Sequence, residues 1–309
     1  MRSKTLNLFL FALMGIVTLG LSSASAQPGP LYVSALGDDG NSGDSPAKPL
    51  RTITKALSYG APDVVILDSG LYDTFSVTSA VIIEAAPGAV ALIPPTSSSA
   101  AATINVAPTE TVLLRGLSFT GGGPNFGIFT TRGNVTIENC VVSNFKNWGI
   151  YQDTPSCALT VKDTVVRNCG RGIFINSSQP GTFVAGTIEH CRLENNLYGV
   201  VAYDNARVTV RDSIASNNTL YGFQAAALPG WTAELTIENC LANGNSVGIL
   251  ADNTWAGTVI VRVSNSTATG NQTGFRQTGG TTFYSKGNNT VHGNVSANVQ
   301  GVITPMAGV

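Results

Sequence analysis

The 309-residue chain is 43% hydrophobic and only 11% charged, with a formal net charge of −1 at pH 7. That composition is too apolar for a disordered chain and too near neutrality for electrostatic capture of nucleic acid. Its 34 glycines, with abundant Ser, Thr, Asn and β-branched residues, suit short strands separated by turns.

At the amino terminus, Arg2 and Lys4 precede an apolar run from Leu6 to Leu21, and Ala24-Ser25-Ala26 supplies small residues for cleavage. This pattern predicts a bacterial-type signal peptide over residues 1–26, leaving Gln27 as the mature start. The run is short for a membrane span, and no later segment is long enough to cross a bilayer. The expected location is therefore periplasmic, extracellular or at the cell surface, with no membrane span after cleavage and no nucleic-acid partner.

From about Val135 to Asn298 a unit of 22 to 27 residues recurs seven times. TIENCVVSN, TVKDTVVRN, TIEHCRLEN, TVRDSIASN and TIENCLANGN are followed by the looser RVSNSTATGN and KGNNTVHGN. Such a period is the signature of a stacked repeat. Aligned units give inward columns: Cys140, Thr164, Cys191, Ser213, Cys240, Ser266 and Asn289, with Val142, Val166, Leu193, Ala215, Ala242, Ala268 and Val291 two positions later. Ile137, Val161, Ile188, Val210, Ile237 and Val263 form another, three positions earlier. The period-two alternation slips by one residue between them, so a bend separates two strands.

The bend column is Asn139, Asp163, His190, Asp212, Asn239, Asn265 and Asn288. These residue types tolerate left-handed backbone, which a tight corner requires. A second polar column reads Asn144, Asn168, Asn195, Asn217, Asn245, Asn271 and Asn294, expected to stack from coil to coil. Outward, Thr136, Thr160, Thr187, Thr209 and Thr236 form a ladder, and Glu138, Lys162, Glu189, Arg211 and Glu238 alternate in sign. His190 thus falls at a corner and His292 in an outward column, so neither marks catalysis. Three strands per unit with polar corners define a parallel β-helix of about nine coils over 64–303, with a tail over 304–309, right-handed by the general rule for parallel crossovers.

Five cysteines are present, so at least one is unpaired. Cys140, Cys191 and Cys240 lie on alternate coils, about 9.6 Å apart from twice the strand spacing, too far for disulfides. Cys157 and Cys169 remain as a candidate pair. The Asn-x-Ser/Thr matches at Asn134, Asn176, Asn217, Asn265 and Asn294 arise from turn and ladder chemistry.

The third strand opens with Gly127, Gly149, Gly172, Gly199, Gly222, Gly248 and Gly274. These read either as turns needing positive φ, the favoured reading, or as a groove floor where a ligand approaches the backbone. Beyond them the outward face runs Phe129, Tyr151, Phe174, Val201, Gln224, Leu250 and Arg276, then Asp153, Asp204 and Asp252 beside Tyr203 and Arg132. Aromatic rings with carboxylates suit sugar binding, which makes Tyr151, Phe174, Tyr203, Asp204 and Asp252 the candidate ligand residues. Trp231 and Trp255 are expected to pack their loops over this face.

The start of the mature chain, LYVSALGDDGNSGDSPAKPLRTITKAL, resembles the amino-terminal module of secreted proteins of the right-handed parallel β-helix, pectin-lyase-like superfamily. Gly37, Asp39, Asn41, Gly43, Pro49, Thr52, Ile53 and Ala56 carry the match. The resemblance implies a capping module over 27–63 with a short helix about Arg51 to Ser58, and substrate lying along the third-strand sheet. The Asn-Thr-Asp, Gly-His-Gly, Arg-Ile-Lys and Asp-Pro-His-Asp motifs of catalytic members do not occur, and the sole adjacent acidic pair, Asp38-Asp39, sits in the cap. The expected function is accordingly a non-catalytic polysaccharide-binding or structural surface protein without a cofactor. The alternative is a lyase or hydrolase acting on a uronic-acid-containing glycan through Asp153, Asp204, Asp252 and Arg132 (or Arg276), with Ca²⁺ held by carboxylates two coils apart.

Overall fold

The computed structural model describes residues 29–95, 100–123, 126–153 and 155–306. The expected signal peptide lies outside the described residues. The strands fall into three sheets in which each strand pairs in parallel with its counterpart one coil away. The first sheet has twelve strands, from Leu31–Val33 to Thr304–Pro305. The second runs from Gly70–Leu71 to Thr290–Val291 and the third from Phe75–Val77 to Ala297–Gln300, with ten strands each against the nine coils expected. This is a parallel β-helix.

The N-terminal segment contributes both a strand and a lid. Leu31–Val33 pairs with Asp63–Ile66, and the helix Ile53–Ser58 buries Ile53 and Ala56 over the first coil. Thr52 caps the helix by accepting from the Lys55 amide at 3.1 Å. Asp39, a residue of the resemblance motif, fastens this helix start: its carboxylate accepts from the amides of Arg51 and Thr52, both at 2.9 Å, and from the Thr52 hydroxyl at 2.8 Å. At the other end, Thr304–Pro305 pairs with Thr282–Ser285, so the first sheet continues into the segment read as a tail.

The inward columns form one continuous core, with Ile137, Val161, Ile188, Val210, Ile237 and Val263 all fully buried. At the corner between the first and second sheets, Asn139, Asp163, His190, Asp212, Asn239 and Asn265 have φ between 48° and 52°, as the residue types anticipate. Asn288 is the exception. It keeps negative φ, and its side chain accepts from the Asn265 amide instead.

The second polar column separates into two, one residue apart. Asn144, Asn168, Asn195 and Asn217 are left-handed corner residues, and Gly244, Gly270 and Gly293 continue that column with φ of 65° to 69°. Asn245, Asn271 and Asn294 belong instead with Asn196 and Asn218 in an inward ladder whose first four members are buried. Each ladder asparagine ties its coil to the preceding one twice. Asn218 Oδ1 accepts from the Asn196 amide at 3.0 Å, and Asn218 Nδ2 donates to the Leu193 carbonyl at 3.0 Å. Asn245 does the same for Asn218 and Ala215, and Asn271 for Asn245 and Ala242. The register Ser216↔Asn243 makes Gly244 the counterpart of Asn217 and Asn245 the counterpart of Asn218, so the glycine stands in the corner column and the asparagine in the ladder.

The third-sheet glycines adopt none of the expected positive φ values. They are inward residues pressed against the next coil: a Cβ on Gly199 would lie 2.4 Å from the Gly222 carbonyl oxygen and 3.2 Å from Asn218 Nδ2. Gly172, Gly222 and Gly248 meet equivalent atoms. Glycine is required by the approach of backbone and ladder, and neither a turn nor a ligand explains it.

Outside, the threonine and charge columns are in register, although ion pairs close in the charge column only around Glu189 and at Glu138 through Arg115. Arg115 bridges Glu84 at 3.2 Å and Glu138 at 3.0 Å, while Glu189 lies between Lys162 and Arg211. His190 is exposed with Nε2 3.9 Å from Asp212, and His292 is exposed in its outward column. All five cysteines are buried free thiols, so Cys157 and Cys169 do not pair. Cys157 accepts a hydrogen bond from the Gly133 amide, and Cys169 points its thiol to the Arg167 carbonyl. Burial pushes the Cys140, Cys191 and Cys240 thiols up to about 12, which keeps them protonated and unreactive.

Two outcomes test this scaffold. Asn245→Ala orphans the buried Asn218 amide and Ala215 carbonyl, each worth about 1–3 kcal/mol, and lowers the denaturant midpoint. Asn217→Gly, on the corner column one residue away, shifts stability by less than about 0.5 kcal/mol, because it relieves a left-handed backbone without removing a core bond. The second concerns the cap. Burial acts to raise the Asp39 pKa, but the Thr52 side chain and the Thr52 and Arg51 amides outweigh it and hold it below the ordinary 3.8. A depressed folded-state value stabilises fully above that range and is lost as pH falls through it. The stability difference between wild type and Asp39→Asn, measured by thermal unfolding from pH 7 to pH 2, therefore shrinks at the acidic end.

Candidate functional site

Along the third sheet the chain runs outward residue, glycine, inward residue, outward residue, so two outward rows flank a doubled inward pair. Trp148–Asp153 shows this, with Gly149 and Ile150 buried between Trp148 and Tyr151. One row is Phe126, Trp148, Arg171, Tyr198, Tyr221 and Val247. The other is the expected Phe129, Tyr151, Phe174, Val201, Gln224, Leu250 and Arg276.

Between and beside these rows lies a groove of about 480 Å³. Val201 and Gln224, both nearly inaccessible, form its floor. Trp148, Tyr151, Arg171, Phe174, Tyr198, Tyr203 and Tyr221 line one stretch, and Asn176, Ala226, Asp252, Thr254 and Trp255 the other. Its volume falls within the range of small-ligand sites.

The rings are packed on one another. Phe126 and Trp148 stack at 4.8 Å with 5° between planes, and Phe129 and Trp148 each stack on Tyr151 at 5.2 Å. Tyr151 then meets the edge of Phe174, which packs on Tyr203. The guanidinium of Arg171 stands over Trp148, Phe174 and Tyr198 at 5.3, 5.4 and 5.2 Å. Burial pushes the Tyr151 hydroxyl up to about 12, with the Asp153 charge adding and Arg171 opposing. Burial also raises Tyr203 and Tyr221.

Of the candidate ligand residues, Tyr151, Phe174, Tyr203 and Asp252 line the groove, and Asp204 does not. Tyr203 rather than Asp204 follows Ala202, which is in register with Ala225, so Asp204 falls one position further along. The carboxylates fasten loops. Asp204, buried and with its pKa raised by that burial, accepts from the Leu228 amide at 2.7 Å. Asp252 accepts from Gln224 at 2.8 Å and from the Thr254 amide at 2.9 Å. Asp153 accepts from Asn176, the Ser178 amide and the Tyr151 hydroxyl.

Arg132 is exposed and lines a separate cleft with Pro108, Pro155 and Gln179, so it does not join the three aspartates. Among the described residues no three His, Cys, Asp or Glu side chains are grouped to hold a metal ion. Trp255 stands half exposed at the groove rim, whereas Trp231 packs against the core.

Sequence reasoning missed Trp148, Arg171, Tyr198 and Tyr221. Their signal was present, since each immediately precedes a glycine of the column. Two further atoms at the site stand out: Trp148 Nε1 and Asn176 Oδ1 are buried without a hydrogen-bond partner among the described residues.

Several solved structures share the architecture. An alginate lyase from Paenibacillus sp. str. FPU-7 superposes with a TM-score of 0.64 at 12% identity, over 89% of this chain and 99% of that one. The pectate lyase Pel9A gives 0.54 at 17% identity, over 86% and 71%. XylC, solved in complex with xylose, gives 0.55 at 8% identity, over 84% and 69%. At such identities the likeness is one of fold. Among curated proteins no match was found. The model of the right-handed beta helix region matches residues 96–185 and 181–296, and with the three-sheet parallel coil it places this chain in the right-handed β-helix family.

Proposed function

We propose that this chain is an exported β-helix protein that binds polysaccharide, without cleaving it, in the groove on its third sheet. The carrying observation is the groove itself: an aromatic-walled channel across successive coils with buried polar atoms at Trp148 and Asn176 that have no partner among the described residues. Apolar ring surface with a few oriented polar groups is what a sugar, with its C–H faces and hydroxyls, requires. A binding role without cleavage is supported by the carboxylates. Asp153, Asp204 and Asp252 each accept a backbone amide of a neighbouring loop, and Arg132 lies in another cleft. The likeness of fold to polysaccharide-directed proteins agrees with this reading and adds nothing to the choice of ligand.

Isothermal titration against a panel of neutral and uronic-acid glycans should give saturable binding to at least one, with no new unsaturated-uronate absorbance and no new reducing ends. Trp255→Ala, which removes a half-exposed rim ring, should weaken that binding about five- to tenfold, as loss of an aromatic contact does, at unchanged thermal stability. Failure of every glycan to bind would overturn the reading. Export is tested separately. Amino-terminal sequencing of the protein recovered from the periplasm or medium of a bacterial host should begin at Gln27, and an intact Met1 terminus in the cytoplasm would count against it.

A further inference from the structure

Resting on the groove as a glycan site, we propose that Arg171 is its specificity-determining residue, and that the glycan carries an anionic group, a carboxylate or sulfate, which Arg171 receives. All 18 acidic residues of the chain lie among the described residues, and none pairs with Arg171. On the other two sheets Arg115, Arg192, Arg207, Arg211 and Arg262 each meet a glutamate, with Arg167 the exception. Arg51, Arg132, Arg167 and Arg276 also lack a carboxylate, but none lines the groove or stands over a ring.

Arg171 is half-buried and held over three aromatic faces. Stacking satisfies the faces of the guanidinium, and its in-plane N–H donors meet no acceptor among the described residues. A rigid fork of donors in a partly desolvated groove matches a planar or tetrahedral oxyanion, and the ordering that binding normally demands is already done. A neutral sugar offers only hydroxyl acceptors to the same donors, which are weaker partners for a charge that has given up water.

The ring stack bears on this as well. Phe126, Trp148 and Tyr151 stack on one another with 5° to 17° between planes, so ring face is spent within the stack. Apolar stacking alone therefore gives that end of the groove little grip, and the arginine supplies it.

The test compares dissociation constants, by isothermal titration with the full mature chain, for oligouronates, the same oligomers after carboxyl reduction, and a sulfated neutral oligosaccharide. Wild type should prefer an anionic oligomer over its neutral counterpart by about tenfold or more, the difference expected for a charged hydrogen-bonded pair. Arg171→Gln should bring that preference to within about twofold, the anionic-to-neutral ratio being the readout because the side chain also lines the groove. Arg171→Lys, which keeps charge and stem but loses the fork, should fall between and guards against misfolding of the first variant. Preference for oligouronate identifies the anion as carboxylate and preference for the sulfated sugar identifies sulfate; either sustains the assignment. Equal binding of charged and neutral oligomers, or a preference that survives in Arg171→Gln, overturns it while leaving the groove a glycan site. Absence of binding by all three removes the groove reading and the assignment with it.

Discussion

Stacking coils at the strand spacing of about 4.8 Å leaves the corner before the third sheet with an amide pointing inward, where water does not reach. The asparagine ladder answers this constraint. From Cys169 to Asn271 each inward amide is received by an asparagine side chain one coil on, at 2.9 to 3.0 Å. The same side chains also fill the space beside the following strand, so the second residue of that strand must be glycine. Doubling of inward residues at that glycine then sets two outward rows apart, and the groove is the gap they frame. Ligand-facing geometry thus descends from a buried polar network several ångströms beneath it.

In the earlier coils the ladder position holds Phe145 and Cys169, which occupy the same niche: a Cβ on Gly127 would meet the Phe145 ring, and one on Gly149 the Cys169 sulfur. An apolar filler and a hydrogen-bonding one are interchangeable there only as long as each neighbouring amide finds a partner. Cys169 shows the join, with its amide accepted by Asn196 while its thiol packs as a small hydrophobe. The column of Cys140, Cys191 and Cys240 repeats the pattern, since their amides go to Thr164, Ser213 and Ser266 on the next coils. Alternation of thiol and hydroxyl is a packing device with a hydrogen bond attached, and burial leaves it no reactivity.

Most of the scaffold was legible because each column has a physical demand that few side chains meet. Left-handed corners called for Asn, Asp or His, and the alternating charges sat where parallel register puts them. Legibility failed where period two failed. Merging Asn217 with Asn245 followed residue type over register: Gly244 replaces asparagine at the corner, and Asn245 is the counterpart of Asn218 in the core. Treating the third-strand glycines as turns hid the row before them, so Trp148, Arg171, Tyr198 and Tyr221 were left off the sheet. Asp204 was misplaced by a single residue for a similar reason: its loop begins one position after the strand Tyr198–Ala202 has closed its register with Ala225. Side-chain type announces a column only while the strand keeps its alternation.

The division of labour that results bears on how this surface can bind. Trp148, Tyr151, Arg171, Phe174, Tyr198 and Tyr221 stand on strands whose neighbours are fixed above and below by parallel pairing, and their rings are braced by one another. The carboxylates were spent elsewhere, on closing the loops that wall the groove. The binding role proposed above does not call on the acidic side chains nearest the groove, which accept from backbone amides and neighbouring side chains. Binding needs a surface ordered before the ligand arrives, so that little conformational entropy is lost on contact. Rigid rings, with donors that have no partner among the described residues, on a sheet that cannot shift register without breaking the asparagine ladder beneath it, meet that requirement.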